Sequence, residues 1–410
     1  MPVKNLIVGQ SGGPTAVINS SLYGVVSEAL RHPEEIGHVY GMINGIEGFL
    51  QDSILDFQEA LPGDSLDGLL YTPGAYLGSC RYKLPESLDD PIYPKLFEKF
   101  QEKNIGYFQY IGGNDSMDTV SKLSRYAERI HSDIRFIGQP KTIDNDLIQT
   151  DHTPGFGSAA RYVASTVREI VLDANVYEKP SVTIIEIMGR HAGWLTAASA
   201  LARKYVGDNP MLIYLPEVDF DVEDFLTKVQ HCLGKNCNVI VCVSEGIHDK
   251  DGTFVCEYDS SVGTDSFGHK MLAGCGKYLE NLVRSRLGVK ARSVEFNVSQ
   301  RCSASMLSAT DQQEACAAGV FGVQAALKGE TGKMVAFIRQ VSLDDSYHMK
   351  CDLVDVNEVC NQEKTVPTEW ISKDGTDVTE AFLRYARPLI QGKVEVPSGS
   401  DGLPAFVSRK

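Results

Sequence analysis

The chain has 410 residues, 43% of them hydrophobic and 23% charged, enough for two or three buried cores, which excludes disorder as a starting point. A formal net charge of -15 sets aside broad contact with nucleic acid or an anionic membrane, so any anionic ligand has to be held by a local group of basic side chains. The 10 cysteines lack paired short spacings, which argues against a zinc site and a disulfide framework, and no apolar run approaches a membrane span.

In chain order, the apolar run at 6–8 leads into Gly9-Gln10-Ser11-Gly12-Gly13-Pro14-Thr15, and a helical pattern follows from Val17 to Leu30. The first glycine comes too soon after the N-terminus for a signal peptide, so a cytoplasmic protein is expected. Further runs at 107–111, 134–137, 182–187, 211–215 and 239–243 read as strands buried on both faces. Phe156, Ala159, Ala160, Val163, Val167, Ile170, Val171 and Ala174 keep the spacing of one buried helical face. The βαβα order predicts parallel, doubly wound sheets, whose ligands gather at the carboxyl ends of strands. From about Thr365 the chain is polar and carries Gly392, Pro397, Gly399, Gly402 and Pro404, which predicts an irregular tail over the surface.

Three segments at predicted strand ends carry chemistry. Gly12 and Gly13 let backbone N–H groups approach a phosphate at a helix N-terminus, although the same glycines also suit an ordinary tight turn. Gly112-Gly113-Asn114-Asp115-Ser116 offers oxygens to a hard cation such as Mg²⁺, and Asp115 or Ser116 could equally cap the helix near Met117. Lys141-Thr142-Ile143-Asp144-Asn145-Asp146 sets a cation, a hydroxyl and two carboxylates close together. Phosphoryl transfer needs that set: positive charge on the phosphates, a base for the attacking hydroxyl, and a second carboxylate for orientation or metal. The competing reading is a solvated turn.

Together these segments resemble the signature loops of the phosphofructokinase family. The resemblance continues through Gly74-Ala75-Tyr76-Leu77-Gly78-Ser79-Cys80-Arg81, through Ile185-Glu186-Ile187-Met188-Gly189-Arg190-His191-Ala192-Gly193, and through Ser244-Glu245-Gly246, Arg292 and Gln300-Arg301. It implies an α/β phosphofructokinase fold of two doubly wound parallel-sheet, Rossmann-like domains facing a cleft. Residues 1–153 with 302–410 would hold the phosphoryl donor and metal, and residues 154–301 the sugar phosphate. By the same resemblance Asp144 is the catalytic base for the 1-hydroxyl of fructose 6-phosphate, and Asp146 supports it. Thr142 and Ile143 border the sugar, while Arg190 neutralises the transferring phosphoryl group. Met188 and Gly189 shape the sugar pocket, Glu245 bonds sugar hydroxyls, and Arg292 and Arg301 clamp the 6-phosphate. Gly12, Gly13 and Arg81 fall on the donor side, and Asn114 faces the Mg²⁺ where the common family pattern has an aspartate.

Donor choice follows from two positions. ATP-using members carry glycine where this chain has Asp115 and Lys141, and that pair is the mark of pyrophosphate-using members. A carboxylate at Asp115 would repel a nucleotide's α-phosphate, and the Lys141 ammonium would stabilise charge on pyrophosphate. Ile43 replaces an adenine-stacking tyrosine. The implied activity is reversible transfer from pyrophosphate in glycolysis and gluconeogenesis. An ATP-dependent enzyme and a non-catalytic regulatory homologue are the alternatives, and the intact Asp144 speaks against the second. A nicotinamide reading of Gly155-Phe156-Gly157-Ser158-Ala159-Ala160 fails because no strand precedes it. Two departures concern the sugar phosphate: Val298 replaces a histidine, and Ser181 replaces an arginine that relatives lend from a neighbouring subunit, with Lys179 close by to compensate. A homodimer or homotetramer is expected, and acceptance of sedoheptulose 7-phosphate is left open.

Overall fold

Leu6, Ile7 and Val8 have no solvent exposure, and the strand they form is the centre from which the first sheet grows in both directions. In the computed structural model, which describes residues 3–258, 274–341 and 346–409, the strands are β1 (Lys4–Gln10), β2 (Ile36–Met42), β3 (Ile54–Asp56), β4 (Ile105–Gly112), β5 (Arg135–Pro140), β6 (Ser181–Ile187), β7 (Leu212–Tyr214), β8 (Asn238–Ser244), β9 (Lys290–Glu295), β10 (Lys333–Val341) and β11 (Tyr347–Asp355). The helices that matter for the site are α1 (Ile18–Ala29), α2 (Asn114–Arg129), α3 (Phe156–Ala174), α4 (Ala309–Leu327) and α5 (Glu380–Ala386).

The first sheet has the order β11-β10-β5-β4-β1-β2-β3. Its inner strands are parallel, while β3 and β11 run antiparallel at the two edges, so the sheet is mixed where the alternation of elements predicts parallel pairing. Strand order reverses between β1 and β4, and the crevice at their carboxyl ends is where such a sheet opens to a ligand. The second sheet, β7-β8-β6-β9, is parallel throughout.

Helix α2 turns Met117, Val120, Leu123 and Ala127 into the core under the first sheet. Its N-cap, Gly113, makes no side-chain cap, so Asp115 and Ser116 are free of the capping role the sequence allows them. Helices α1 and α4 approach through glycines: a methyl group at Gly24 would lie 2.1 Å from the Cys316 carbonyl oxygen, and one at Gly319 would lie 2.3 Å from that of Ser21. Helix α3 begins at Phe156 and ends at Ala174, with the predicted apolar face directed inward.

The C-terminal stretch corrects the sequence reading twice. It is not an irregular surface tail throughout, because α5 buries Phe382 and Tyr385. Nor does it belong with the first sheet alone: Val366, Ile371, Val378, Phe382, Tyr385 and Leu389 share a core with Ile185, Ile187 and Ile213 of the second sheet. Apolar anchors spaced through polar sequence are enough to fix a segment whose average composition looks solvated.

Candidate active site

The loops that leave the carboxyl ends of the two sheets face each other across a cleft of about 780 Å³. On one side are the turns after β1, β4 and β5, and on the other the turns after β6 and β8. Arg301 and the 361–363 loop close it.

After β1 the chain passes through Gly12 at φ +75, a left-handed conformation that a side chain would strain. A methyl group there would also come within 3.3 Å of the Lys141 Nζ. Lys141 is buried, and its ammonium donates to the Gly13 carbonyl at 2.7 Å, so it lies directly beneath the glycine loop. Burial lowers its pKa to about 8, against the pull of Asp144 and Asp146 that would keep it charged.

The turn after β5 is built as one unit. The Asp144 N–H donates to the Thr142 hydroxyl at 3.1 Å, and that hydroxyl lies 3.3 Å from the Asp144 carboxylate. Asn145, at φ +55, turns the chain, with its carbonyl oxygen accepting from the Thr153 N–H at 3.1 Å and its amide donating to the Tyr385 hydroxyl at 2.8 Å. Asp144 and Asp146 both line the cleft. Burial first, then mutual repulsion and Glu363, raises the Asp146 carboxyl, and burial raises that of Asp144. Two neighbouring carboxyls that resist joint ionisation suit proton transfer or a shared cation.

On the opposite wall Met188, Arg190 and Glu245 line the cleft. The Ser244 hydroxyl donates to the Gly189 carbonyl, and the Gly189 N–H donates to Glu245 Oε1 at 3.4 Å. Gly189 sits at φ +145, and a methyl on it would stand 2.6 Å from the Ala192 carbonyl oxygen, so glycine is required there. Burial pushes the Glu245 carboxyl up to about 7, with Arg190 opposing.

Several expected site residues are placed differently from the sequence reading. Asp115 pairs with Lys83 at 3.2 Å, and both are more than half exposed, so its charge is partly offset and its power to repel a nucleotide is weaker than its position implies. The Asn114 carbonyl oxygen accepts from the Asn361 N–H at 2.6 Å, and its amide donates to the Gln362 carbonyl at 2.5 Å, which engages the side chain expected to face the metal. The arginine pair is split. Arg301 reaches the glycine loop after β1, where a methyl on Gly13 would stand 3.2 Å from its guanidinium. Arg292 lies mid-strand on β9 beside Asp173 of α3, at 3.5 Å, and does not line the cleft. The Ser181 hydroxyl donates to Asn238 Oδ1 at 2.8 Å. Lys179 precedes β6, roughly 20 Å of strand from the cleft end, so it cannot serve its own chain's cleft.

Lys83, Asn361 and Glu363 line the cleft and were not anticipated. Lys83 had a signal in the basic run around Arg81, whereas Asn361 and Glu363 come from a loop with no glycine motif. No ready-made cage of protein ligands stands in the cleft: among the described residues the group of three His, Cys, Asp or Glu side chains close enough to share an ion is the surface set His32, Glu34 and Glu35. The scattered carboxylates of the cleft still fit Mg²⁺, which takes one or two carboxylates and completes its shell with phosphate oxygens and water.

Comparison with known proteins agrees with this geometry. The family model described as phosphofructokinase matches residues 5–326. A pyrophosphate–fructose 6-phosphate 1-phosphotransferase of Methylococcus capsulatus is 40% identical, the match covering 100% of this chain and 96% of the relative. The enzyme of the same name from Xanthomonas campestris is 42% identical over 99% of this chain and 96% of its own. The crystal structure of a pyrophosphate-dependent phosphofructokinase from Marinobacter aquaeolei superposes with a TM-score of 0.88 at 38% identity, covering 98% of this chain and 95% of that one.

Proposed function

The chain belongs to the phosphofructokinase family, and from that membership we infer a reversible transfer of phosphoryl between pyrophosphate and fructose 6-phosphate. The products are fructose 1,6-bisphosphate and phosphate. The observation that carries the donor assignment is the Lys141 ammonium, buried under the glycine loop and fixed to the Gly13 carbonyl, in the position to meet a compact diphosphate.

In the forward direction Asp144 takes the proton from the sugar 1-hydroxyl as that oxygen attacks the terminal phosphorus. The bond from that phosphorus to the bridging oxygen breaks, and the departing phosphate keeps its electron pair. Lys141, the N–H group of Gly13, and Arg81 hold the phosphate that leaves, and Arg190 offsets charge on the group in transit. Asp146 orients Asp144. Thr142, Ile143, Met188, Gly189 and Glu245 border the sugar, and Arg301, set between the two loops, faces phosphate from either side. Asp146, Asp144 and Glu363 are the side chains that would hold a Mg²⁺ ion, which when bound offsets charge on the pyrophosphate oxygens. In reverse, a protonated Asp144 returns its proton to the 1-oxygen as the phosphoryl group leaves it for phosphate.

The donor half of the cleft comes from the first sheet and the sugar half from the second, with the C-terminal stretch touching both. We assign a homodimer or homotetramer in which a second copy presents Lys179 to the sugar phosphate. Exposed Leu172, Val176 and Tyr177, beside Lys179 in the chain, support that face as the contact. No described helix is long and apolar enough to cross a membrane, in keeping with a cytoplasmic enzyme. The test is phosphate release from fructose 6-phosphate and Mg²⁺ with pyrophosphate or ATP. Turnover with pyrophosphate is expected, and turnover with ATP alone overturns the donor assignment.

A further inference from the structure

The segment 361–366 lies beyond residues 5–326, the part matched by the family model, yet it is fastened to the chain on both sides of the cleft. Asn114, at the start of α2, grips the backbone of Asn361 and Gln362 with both ends of its amide. The Lys364 N–H donates to the Asp146 carbonyl at 2.7 Å, and its ammonium donates to the carbonyls of Thr150 and Asp151 at 3.0 and 2.8 Å. The Trp194 indole donates to the Lys364 carbonyl at 2.9 Å, and the Val366 N–H donates to Glu217, which also accepts from Gly193. The start of α2, the turn after β5 and the segment after β6 are thus tied by six residues of strap. Glu363 sits at its middle, exposed and lining the cleft, and makes no ion pair among the described residues.

We propose that this strap is a working part of the active site, in which Asn114 is a positioning residue and Glu363 supplies the carboxylate that the divalent cation travelling with pyrophosphate meets in the cleft. The proposal rests on the pyrophosphate reading given above. It explains the asparagine where the common pattern has a cation-binding aspartate. A carboxylate at 114 could not donate to the Gln362 carbonyl and would repel it, so the position favours an amide and the negative charge comes from the strap instead. Asp115 is a poorer source because Lys83 already holds it. Glu363 also adds its charge to that of Asp144 and Asp146, a concentration of carboxylates that a cation relieves.

The test is Mn²⁺ binding by electron paramagnetic resonance, in the presence of methylenediphosphonate as a non-hydrolysable diphosphate, with thermal unfolding recorded for each variant. Glu363→Gln is expected to weaken Mn²⁺ binding about tenfold at an unchanged unfolding midpoint. Asn114→Asp is expected to weaken it too, whereas a direct ligand role for position 114 requires tighter binding. Doubling the two changes should cost little more than either alone, because both act through one carboxylate. Unchanged Mn²⁺ affinity in Glu363→Gln, or tighter binding in Asn114→Asp, overturns the proposal. Wild-type turnover of pyrophosphate is measured alongside: its presence with either of those results sinks the strap alone, and its absence sinks the donor reading and this one together.

Discussion

At the scale of single residues, the proposed mechanism places most of its chemistry on the turn after β5, whose two key side chains differ in what limits them. Asp144 → Asn keeps the shape and the Thr142 contacts but removes the proton acceptor. A drop in kcat of about 10³-fold with little change in KM is expected, since a positioned base contributes roughly 10²–10⁴-fold. Lys141 is limited by its own burial. Its pKa is lowered to about 8, so the free enzyme loses this positive charge as pH rises through that value, while bound pyrophosphate favours the charged form. KM for pyrophosphate should therefore climb above about pH 8 in wild type, and the climb should vanish in Lys141→Arg, whose guanidinium does not titrate there. A flat KM profile between pH 7 and 9 in wild type would count against the ammonium as the donor's anchor.

At the scale of elements, the α1–α4 crossing is a tight backbone-to-backbone requirement beside the first sheet. A methyl at Gly319 collides with the backbone of α1 and not with a flexible side-chain end, so the helices must separate. Gly319→Ala is expected to lower stability by about 1–3 kcal/mol, read as a shifted urea midpoint, and unchanged stability would show that the helices can part freely. Nothing in the sequence marks Gly319 for this role, because a close approach depends on what lies opposite. The buried parallel strands were legible, since β1, β4, β5, β6 and β8 are dominated by apolar residues buried on both faces. β9 and β11 were not, because Lys290, Arg292 and Glu295, or His348, Lys350 and Asp352, interrupt them with half-exposed polar positions. The same contrast governs the site. Gly12, Lys141, Asp144 and Arg190 follow strands closely, so their place in the cleft was readable from their loops, whereas Glu363 arrives from a loop more than two hundred residues further along the chain than Asp144, with no local motif. Arg292 falls outside the cleft, and Asn114 lines it with its side chain bonded to the 361–362 backbone, for a related reason: spacing gives the position of a residue but not the neighbour that its side chain finds.

At the scale of the whole molecule, the turn after β5 is not supported locally but by a buried polar network that joins the first sheet to α4 and α5. The Asn145 amide donates to the Tyr385 hydroxyl of α5, and that hydroxyl donates to the Asp151 carbonyl at 2.8 Å. His152 is 1% exposed and bridges Asp151 at 2.8 Å and Glu314 of α4 at 2.7 Å. Arg339 of β10 bonds Asp151, and Tyr347 of β11 donates to Glu314 at 2.6 Å. Burial acts to lower the His152 pKa, but hydrogen bonds and charge from Asp151 and Glu314 win and raise it. Burial acts to raise that of Asp151, but His152 and Arg339 hold it well below the carboxylate range. The signs then fix a window. A raised histidine contributes fully below its unfolded pKa of about 6.5, and the contribution fades as pH climbs through the higher folded value. A depressed aspartate contributes above its unfolded pKa of about 3.9 and fails only as acid reaches the lower folded value. The network should accordingly be strongest between about pH 4 and 6.5 and weaken on the alkaline side. Other groups in the cleft titrate as well, so the discriminating quantity is the gap in urea stability between wild type and His152→Gln, which keeps the Arg339–Asp151 and Tyr347–Glu314 bonds. That gap is expected to reach about 3 kcal/mol near pH 6 and to shrink by pH 9, because only wild type has an imidazolium to lose. A gap of constant size across that range would mean that His152 is held neutral, and that the two carboxylates beneath the turn after β5 are balanced by Arg339 and Tyr347 without it.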